Sequence, residues 1–174
     1  LYINGHVTGN SPYLAFEWRA GKEGEFHQVH TRLIGEYNFP NALAAVTIGH
    51  FFGVEAEKID KALNEYEPRN NRSQLKKTAD NTLIIDAYNA NPTSMLAAIG
   101  NFRNMQAEKK MLILGDMREL GKDSAEEHQR IVDYLEEYGF EDVILVGELF
   151  AATRHTYTTY PDAPALIAAL QKHK

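Results

Sequence analysis

The chain has no cysteine, which rules out a disulfide framework and thiolate metal sites and fits a reducing, cytoplasmic setting. It has no block of basic residues either. With 18 Lys and Arg against 24 Asp and Glu the formal net charge is -6, an argument against a nucleic-acid or anionic-membrane partner. No apolar run approaches the roughly eighteen residues needed to span a bilayer, so no membrane insertion is expected. Neither a Gly-x-Gly-x-x-Gly dinucleotide fingerprint nor a P-loop ending in Gly-Lys-Ser/Thr is present. The start, Leu1-Tyr2-Ile3-Asn4, lacks Met and a signal-peptide pattern, and the expectation is a sequence cut from a longer chain. What is there is 174 residues of ordinary soluble composition, enough for one large domain or two small ones.

The chain is organised around Thr82-Leu83-Ile84-Ile85-Asp86-Ala87-Tyr88-Asn89-Ala90-Asn91-Pro92-Thr93-Ser94. Four mostly apolar residues read as a short strand buried on both faces, as a parallel sheet requires. Asp86, Tyr88, Asn89 and Asn91 follow within six positions, and Asn91-Pro92 sets a good N-cap before a proline at the first helical position. Strand, polar turn and helix start together mark the place where open α/β sheets bind ligands. A strand-end carboxylate can accept two hydrogen bonds from a vicinal diol, and side-chain amides suit a base edge or a peptide. The same residues also serve as ordinary caps and turns.

Residues 1 to about 34 alternate apolar and polar in short runs, giving two to four antiparallel strands, with Gly21-Lys22-Glu23-Gly24 as a hairpin turn. His27 and His30 would face opposite sides of one strand, which speaks against a metal pair. A helix follows from Ala42 to Phe52, ended by Gly53, with Asn38 as N-cap. Asn41, three residues on, would share its side of the first turn, so the two carboxamides could read an adenine edge. A second helix spans Ala56 to Tyr66, and Pro68 to Ser73 reads as a linker whose arginines could grip phosphate. Gln74 to Ala79 is a further strand candidate.

Beyond Pro92 the pattern is regular: helix Thr93 to Gln106, strand Met111 to Leu114, turn Gly115 to Gly121, helix Ser124 to Tyr138, strand Val143 to Val146, and a short helix through Phe150. A weak strand at 156–160 and a helix at 163–170 complete it. This alternation predicts an α/β fold with a Rossmann-like parallel sheet, whose last strand is expected to be missing. Asp86, Asp116 and Gly147 would then share one rim of the sheet, and His128 is expected on a solvated helix face.

Three stretches carry a resemblance: Asp86-Ala87-Tyr88-Asn89-Ala90-Asn91-Pro92, Leu114-Gly115-Asp116-Met117-Arg118-Glu119-Leu120-Gly121, and Tyr37-Asn38-Phe39-Pro40-Asn41-Ala42-Leu43-Ala44-Ala45. In that composition they resemble the Mur ligase family. The resemblance implies residues 1–70 as the C-terminal part, an α+β remnant, of an ATP-binding central domain, and 71–174 as a Rossmann-like C-terminal ligase domain. It implies ATP-dependent addition of D-alanyl-D-alanine to UDP-N-acetylmuramoyl-tripeptide through an acyl phosphate, with ATP and Mg²⁺. By the matching, Asn38 and Asn41 would face adenine, Arg72 the phosphates and Asp86 the ribose, with Tyr88, Asn89 and Asn91 along the same edge. Asp116 and Glu119 would lie in a substrate-side loop. The P-loop, the metal ligands and the UDP-binding domain would lie upstream, so this stretch alone would hold no catalytic residue. A sister ligase adding a single amino acid, or a non-catalytic Rossmann-like module binding an effector, are the other readings of the same residues.

Overall fold

The computed structural model describes residues 2–10, 12–69 and 71–171. Two compact units emerge: residues up to Tyr88 with Asn101–Met105, and Asn89–Gly100 with the residues from Gln106 onward.

In the first unit, β1 (Ile3–Gly9), β2 (Tyr13–Ala20) and β3 (His27–Ile34) form an antiparallel sheet in the order β1-β2-β3, within the range the alternation predicts. The alternation also decides the faces. Leu14, Phe16 and Trp18 of β2 and Val29 of β3 are buried at every second position. The turn at residues 21–24 reverses the chain with Gly21 at φ 70, pairing Trp18 with His27. His27 and His30 alternate in this strand and therefore lie on opposite faces.

Helices α1 (Phe39–Phe51) and α2 (Ala56–Glu65) supply Ala42, Val46 and Ile59 to the same core. The helix α1 starts three residues before the predicted Ala42, because a 3-10 turn over Glu36–Asn38 runs into it and Pro40 fits its first turn. Asp60 of α2 ties helix to sheet. Its carboxylate accepts from Trp18 Nε1 at 2.7 Å and meets His27 Nδ1 at 2.9 Å, while the Trp18 and His27 rings stack at 4.7 Å.

β4 (Gln74–Lys77) and β5 (Thr82–Ile85) complete this unit, and here the sequence expectation is corrected. β5 was expected as a parallel strand buried on both faces. It instead pairs antiparallel with β4, from Gln74 opposite Ile85 to Lys77 opposite Thr82, and Leu83 is 42% exposed. A short turn closed by Thr78 and Asn81 brings β4 alongside at small entropic cost, and a four-residue apolar run reads the same in either setting.

The second unit is α/β. β6 (Leu112–Gly115), β7 (Val143–Val146) and β8 (Thr158–Tyr160) form a parallel sheet in the order β6-β7-β8. α4 (Ser124–Glu137) lies between β6 and β7, α5 (Glu148–Ala151) between β7 and β8, and α6 (Ala163–Gln171) follows. Ile99 of α3 (Pro92–Asn104) joins a core of Met117, Ile131, Val132, Leu135, Val143, Leu145 and Phe150.

His128 of α4 overturns its predicted solvated position, being fully buried. Its Nε2 accepts the Met117 N–H at 3.0 Å, and its Nδ1 lies 2.6 Å from the Ser124 carbonyl oxygen. Neighbouring Glu126 and Glu127 suggested solvent, but the helix turns His128 onto the apolar face with Ile131, Val132 and Leu135.

Candidate functional site

In the first unit, polar side chains from three separate stretches meet. β3 ends at Ile34, and Gly35 follows at φ 90, where a β-carbon would be strained and would also overlap the Tyr37 ring. This glycine lets the ring fold back. Asn38 Nδ2 donates to the Ile34 carbonyl at 2.8 Å, so the side chain fastens the 3-10 turn and makes no capping bond to α1. Asn38 already has helical dihedrals, which is why the predicted N-cap geometry does not form. Asn41 lies exposed in the first turn of α1.

The Tyr37 hydroxyl is 2.5 Å from Ser73 Oγ, and the Ser73 N–H donates to Asp86 Oδ1 at 3.4 Å. Ala87 N–H donates to the Asn71 carbonyl at 2.8 Å, holding the start of β4 against the end of β5. Asn71 and Ser73 both have left-handed backbones, with φ 56 and 47, a conformation that L-residues hold only when the surroundings impose it. Between them Arg72 is exposed and lays its guanidinium 3.8 Å over the Tyr88 ring. Ser73 is buried, whereas Asp86 and Tyr88 are exposed. Burial pushes the Tyr37 phenol above its ordinary range; the Asp86 charge adds to this and the Ser73 hydrogen bond partly opposes it.

The cluster thus presents a carboxylate with one oxygen steadied from behind, a guanidinium and an aromatic face. A carboxylate of this kind suits hydroxyls, and a guanidinium suits phosphate. Tyr37 and Ser73 were not singled out from the sequence. They are 36 residues apart and each sits beside a residue that was noticed, Asn38 and Arg72, so no local spacing signals the contact.

In the second unit the predicted residues serve largely local roles. Asn91 caps α3, its Oδ1 accepting the Ser94 N–H at 2.9 Å. Asn89 Oδ1 accepts the Ala90 N–H at 2.8 Å, and its Nδ2 lies 3.5 Å from Glu119 Oε2. Asp116 and Gly147 directly follow neighbouring strands β6 and β7, as the shared rim predicts, with Asp116 N–H donating to the Val146 carbonyl at 3.1 Å. The Asp116 carboxylate accepts the Leu149 and Phe150 N–H groups at 3.1 and 3.0 Å, at the start of α5. Asp86, the third member of the predicted rim, follows β5 and so ends a strand of the β4–β5 pair instead. Among the described residues no three His, Asp or Glu side chains are grouped so as to hold a metal ion. No helix there is long and apolar enough to cross a membrane.

The sequence profile described as "Mur ligase, glutamate ligase domain" matches residues 71–173. The UDP-N-acetylmuramoyl-tripeptide--D-alanyl-D-alanine ligase of Rickettsia prowazekii is 31% identical over 170 residues, which is 93% of this chain and 37% of that protein. The crystal structure of MurF from Acinetobacter baumannii is similar over 97% of this chain and 38% of its own, with TM-score 0.77 and 30% identity. The MurF ligase of Thermotoga maritima in complex with ADP shares the fold at TM-score 0.78 and 16% identity, over 98% of this chain and 40% of that one. The chain spans well under half the length of each. A family match over more than half of the residues places the chain in the Mur ligase family.

Proposed function

We propose that this chain is part of an ATP-dependent ligase that joins D-alanyl-D-alanine to UDP-N-acetylmuramoyl-tripeptide in the making of peptidoglycan precursors. The observation that carries the reading is the R. prowazekii relative, whose name states that reaction and which aligns with nearly the whole chain. Residues 1–70 would be the end of the central ATP-binding domain and 71–174 most of the C-terminal domain, a division supported by the start of the family match at 71. A cytoplasmic location goes with the reading, because its substrates are nucleotides and a nucleotide-linked peptide.

The nucleotide side is assigned to the first-unit cluster. Asp86 would hold the ribose hydroxyls, Arg72 the phosphates, and Asn38 and Asn41 the adenine, with Tyr88 along the same edge. The solved complex of the T. maritima ligase with ADP supports an adenine nucleotide as the ligand class. Asp116 and Glu119 are assigned to the loop on the peptide side. Mg²⁺ would be held by residues upstream in the parent protein, where it would help neutralise the charge on the transferring phosphate.

In this reaction a carboxylate oxygen of the tripeptide attacks the γ-phosphorus of ATP and ADP leaves. The dipeptide amine then attacks the resulting acyl carbon, phosphate leaves, and the amine nitrogen gives up its proton as the amide forms. The residues of this chain would bind and orient the nucleotide while the C-terminal domain brings the amine to the acyl group. The test is phosphate release by the full-length parent given ATP and UDP-N-acetylmuramoyl-tripeptide. Release that requires D-alanyl-D-alanine supports the reading. Release with a single amino acid instead makes it a sister ligase, and no release from a folded parent returns the chain to a binding-module role.

A further inference from the structure

We propose that Tyr37 is a positioning residue for the nucleotide: its hydroxyl anchors Ser73, whose N–H steadies the Asp86 carboxylate that receives the ribose. The inference rests on the ribose reading of Asp86 given above and extends it to two residues with no place in that reading.

The geometry makes a connected chain. Tyr37 Oη and Ser73 Oγ are 2.5 Å apart, and Ser73 N–H reaches Asp86 Oδ1 at 3.4 Å. Ser73 is 5% exposed and has φ 47, so its side chain is enclosed and its backbone sits where a serine does not rest by preference. Such a conformation persists when its surroundings over-determine it, and the part-buried hydroxyl pair with Tyr37, in the 3-10 turn before α1, is a contact that helps do so. Gly35 is shaped for the same contact, because any side chain there would displace the Tyr37 ring. The turn from Asn71 to Ser73 also carries Arg72, so a loosened Ser73 would release the guanidinium from its place over Tyr88 along with the carboxylate.

An exposed carboxylate held at a single oxygen can swing on its own side-chain torsions. Fixing the backbone N–H that holds Oδ1 limits that swing. Tyr37 therefore acts through Ser73 and Asp86 and need not touch the nucleotide.

The experiment compares ATP with dideoxy-ATP, which lacks both ribose hydroxyls, in the full-length parent ligase, and reads the ratio of the two kcat/KM values. Asp86→Ala, Tyr37→Phe and Ser73→Ala are each measured, with thermal unfolding alongside. A carboxylate–diol contact should favour ATP by roughly tenfold or more in the unaltered enzyme. The expected result is that Asp86→Ala abolishes this preference, and that Tyr37→Phe and Ser73→Ala each reduce it by at least about threefold, their combination doing no more than either alone. A merely structural role would lower activity with both nucleotides and leave the ratio unchanged. Loss of the preference in Asp86→Ala with full preference in Tyr37→Phe and Ser73→Ala overturns the positioning role alone. Retention of the preference in Asp86→Ala overturns the ribose reading and the positioning role with it. Should Tyr37→Phe fail to fold, Ser73→Ala breaks the same link from the other end and decides the matter.

Discussion

The Asp116 carboxylate occupies the space that a β-carbon on Gly147 would need. Gly147 follows β7 at φ 124, a conformation closed to other residues in practice, and the carboxylate it admits accepts the Leu149 and Phe150 N–H groups in the first turn of α5. Gly147→Ala is therefore expected to destabilise the protein by roughly 2–4 kcal/mol, from backbone strain and displacement of the carboxylate together. Denaturant unfolding measures it. In an Asp116→Ala background the same change should cost less by about 1 kcal/mol or more, because part of the clash is already gone.

His128 is fixed by two bonds that assign its proton. Nε2 accepts from the Met117 backbone, so Nδ1 carries the hydrogen and donates to the Ser124 carbonyl. Nitrogen NMR of the imidazole should show the Nδ1–H tautomer. His128→Phe keeps the ring but leaves the buried Met117 N–H without its acceptor, at an expected cost of about 2–4 kcal/mol in unfolding free energy.

Asp60 holds the indole of Trp18, the sole tryptophan in the chain. Asp60→Ala removes the acceptor for Trp18 Nε1 and the partner of His27 Nδ1, and is expected to cost about 2–3 kcal/mol. Tryptophan fluorescence offers a local check. Its emission should move to the red in the variant under native conditions, as water reaches an indole that is now 1% exposed.

Tyr37 sets a pH dependence at the alkaline end. Burial first, and the Asp86 charge second, raise its phenol above the ordinary 10.0. The folded state then keeps a proton that the unfolded state gives up, so the stability linked to this group is complete below pH 10.0 and is lost as the pH climbs through the raised value. Tyr37→Phe should lose less stability than the unaltered protein over that range. The difference between their tyrosinate absorbance titrations should show one phenol ionising late.

Asp86→Ala should raise the KM for ATP in the parent ligase by about tenfold while leaving the unfolding midpoint nearly unchanged, because the side chain is exposed and its bond from the Ser73 N–H is long. A variant that unfolds, or one with unaltered ATP dependence, would contradict the ribose assignment.

The sequence by itself determined the elements whose signals are local. Alternation in Leu14, Phe16 and Trp18 specified a one-sided sheet, and the spacing of β6, α4 and β7 specified a parallel α/β unit. Asn91-Pro92 capped α3 as the residue types require. Three contiguous motifs were enough to indicate the Mur ligase family, because a family signature is itself a local pattern. Tertiary structure decided what depends on partners far along the chain. Ile84 and Ile85 could have entered either kind of sheet, and β4 settled it. His128 went inside because the helical turn aligns it with Ile131 and Val132, against the pull of its acidic neighbours. The link from Tyr37 through Ser73 to Asp86 joins positions 36 and 13 residues apart, a separation at which hydrogen-bond partners leave no trace in composition or period.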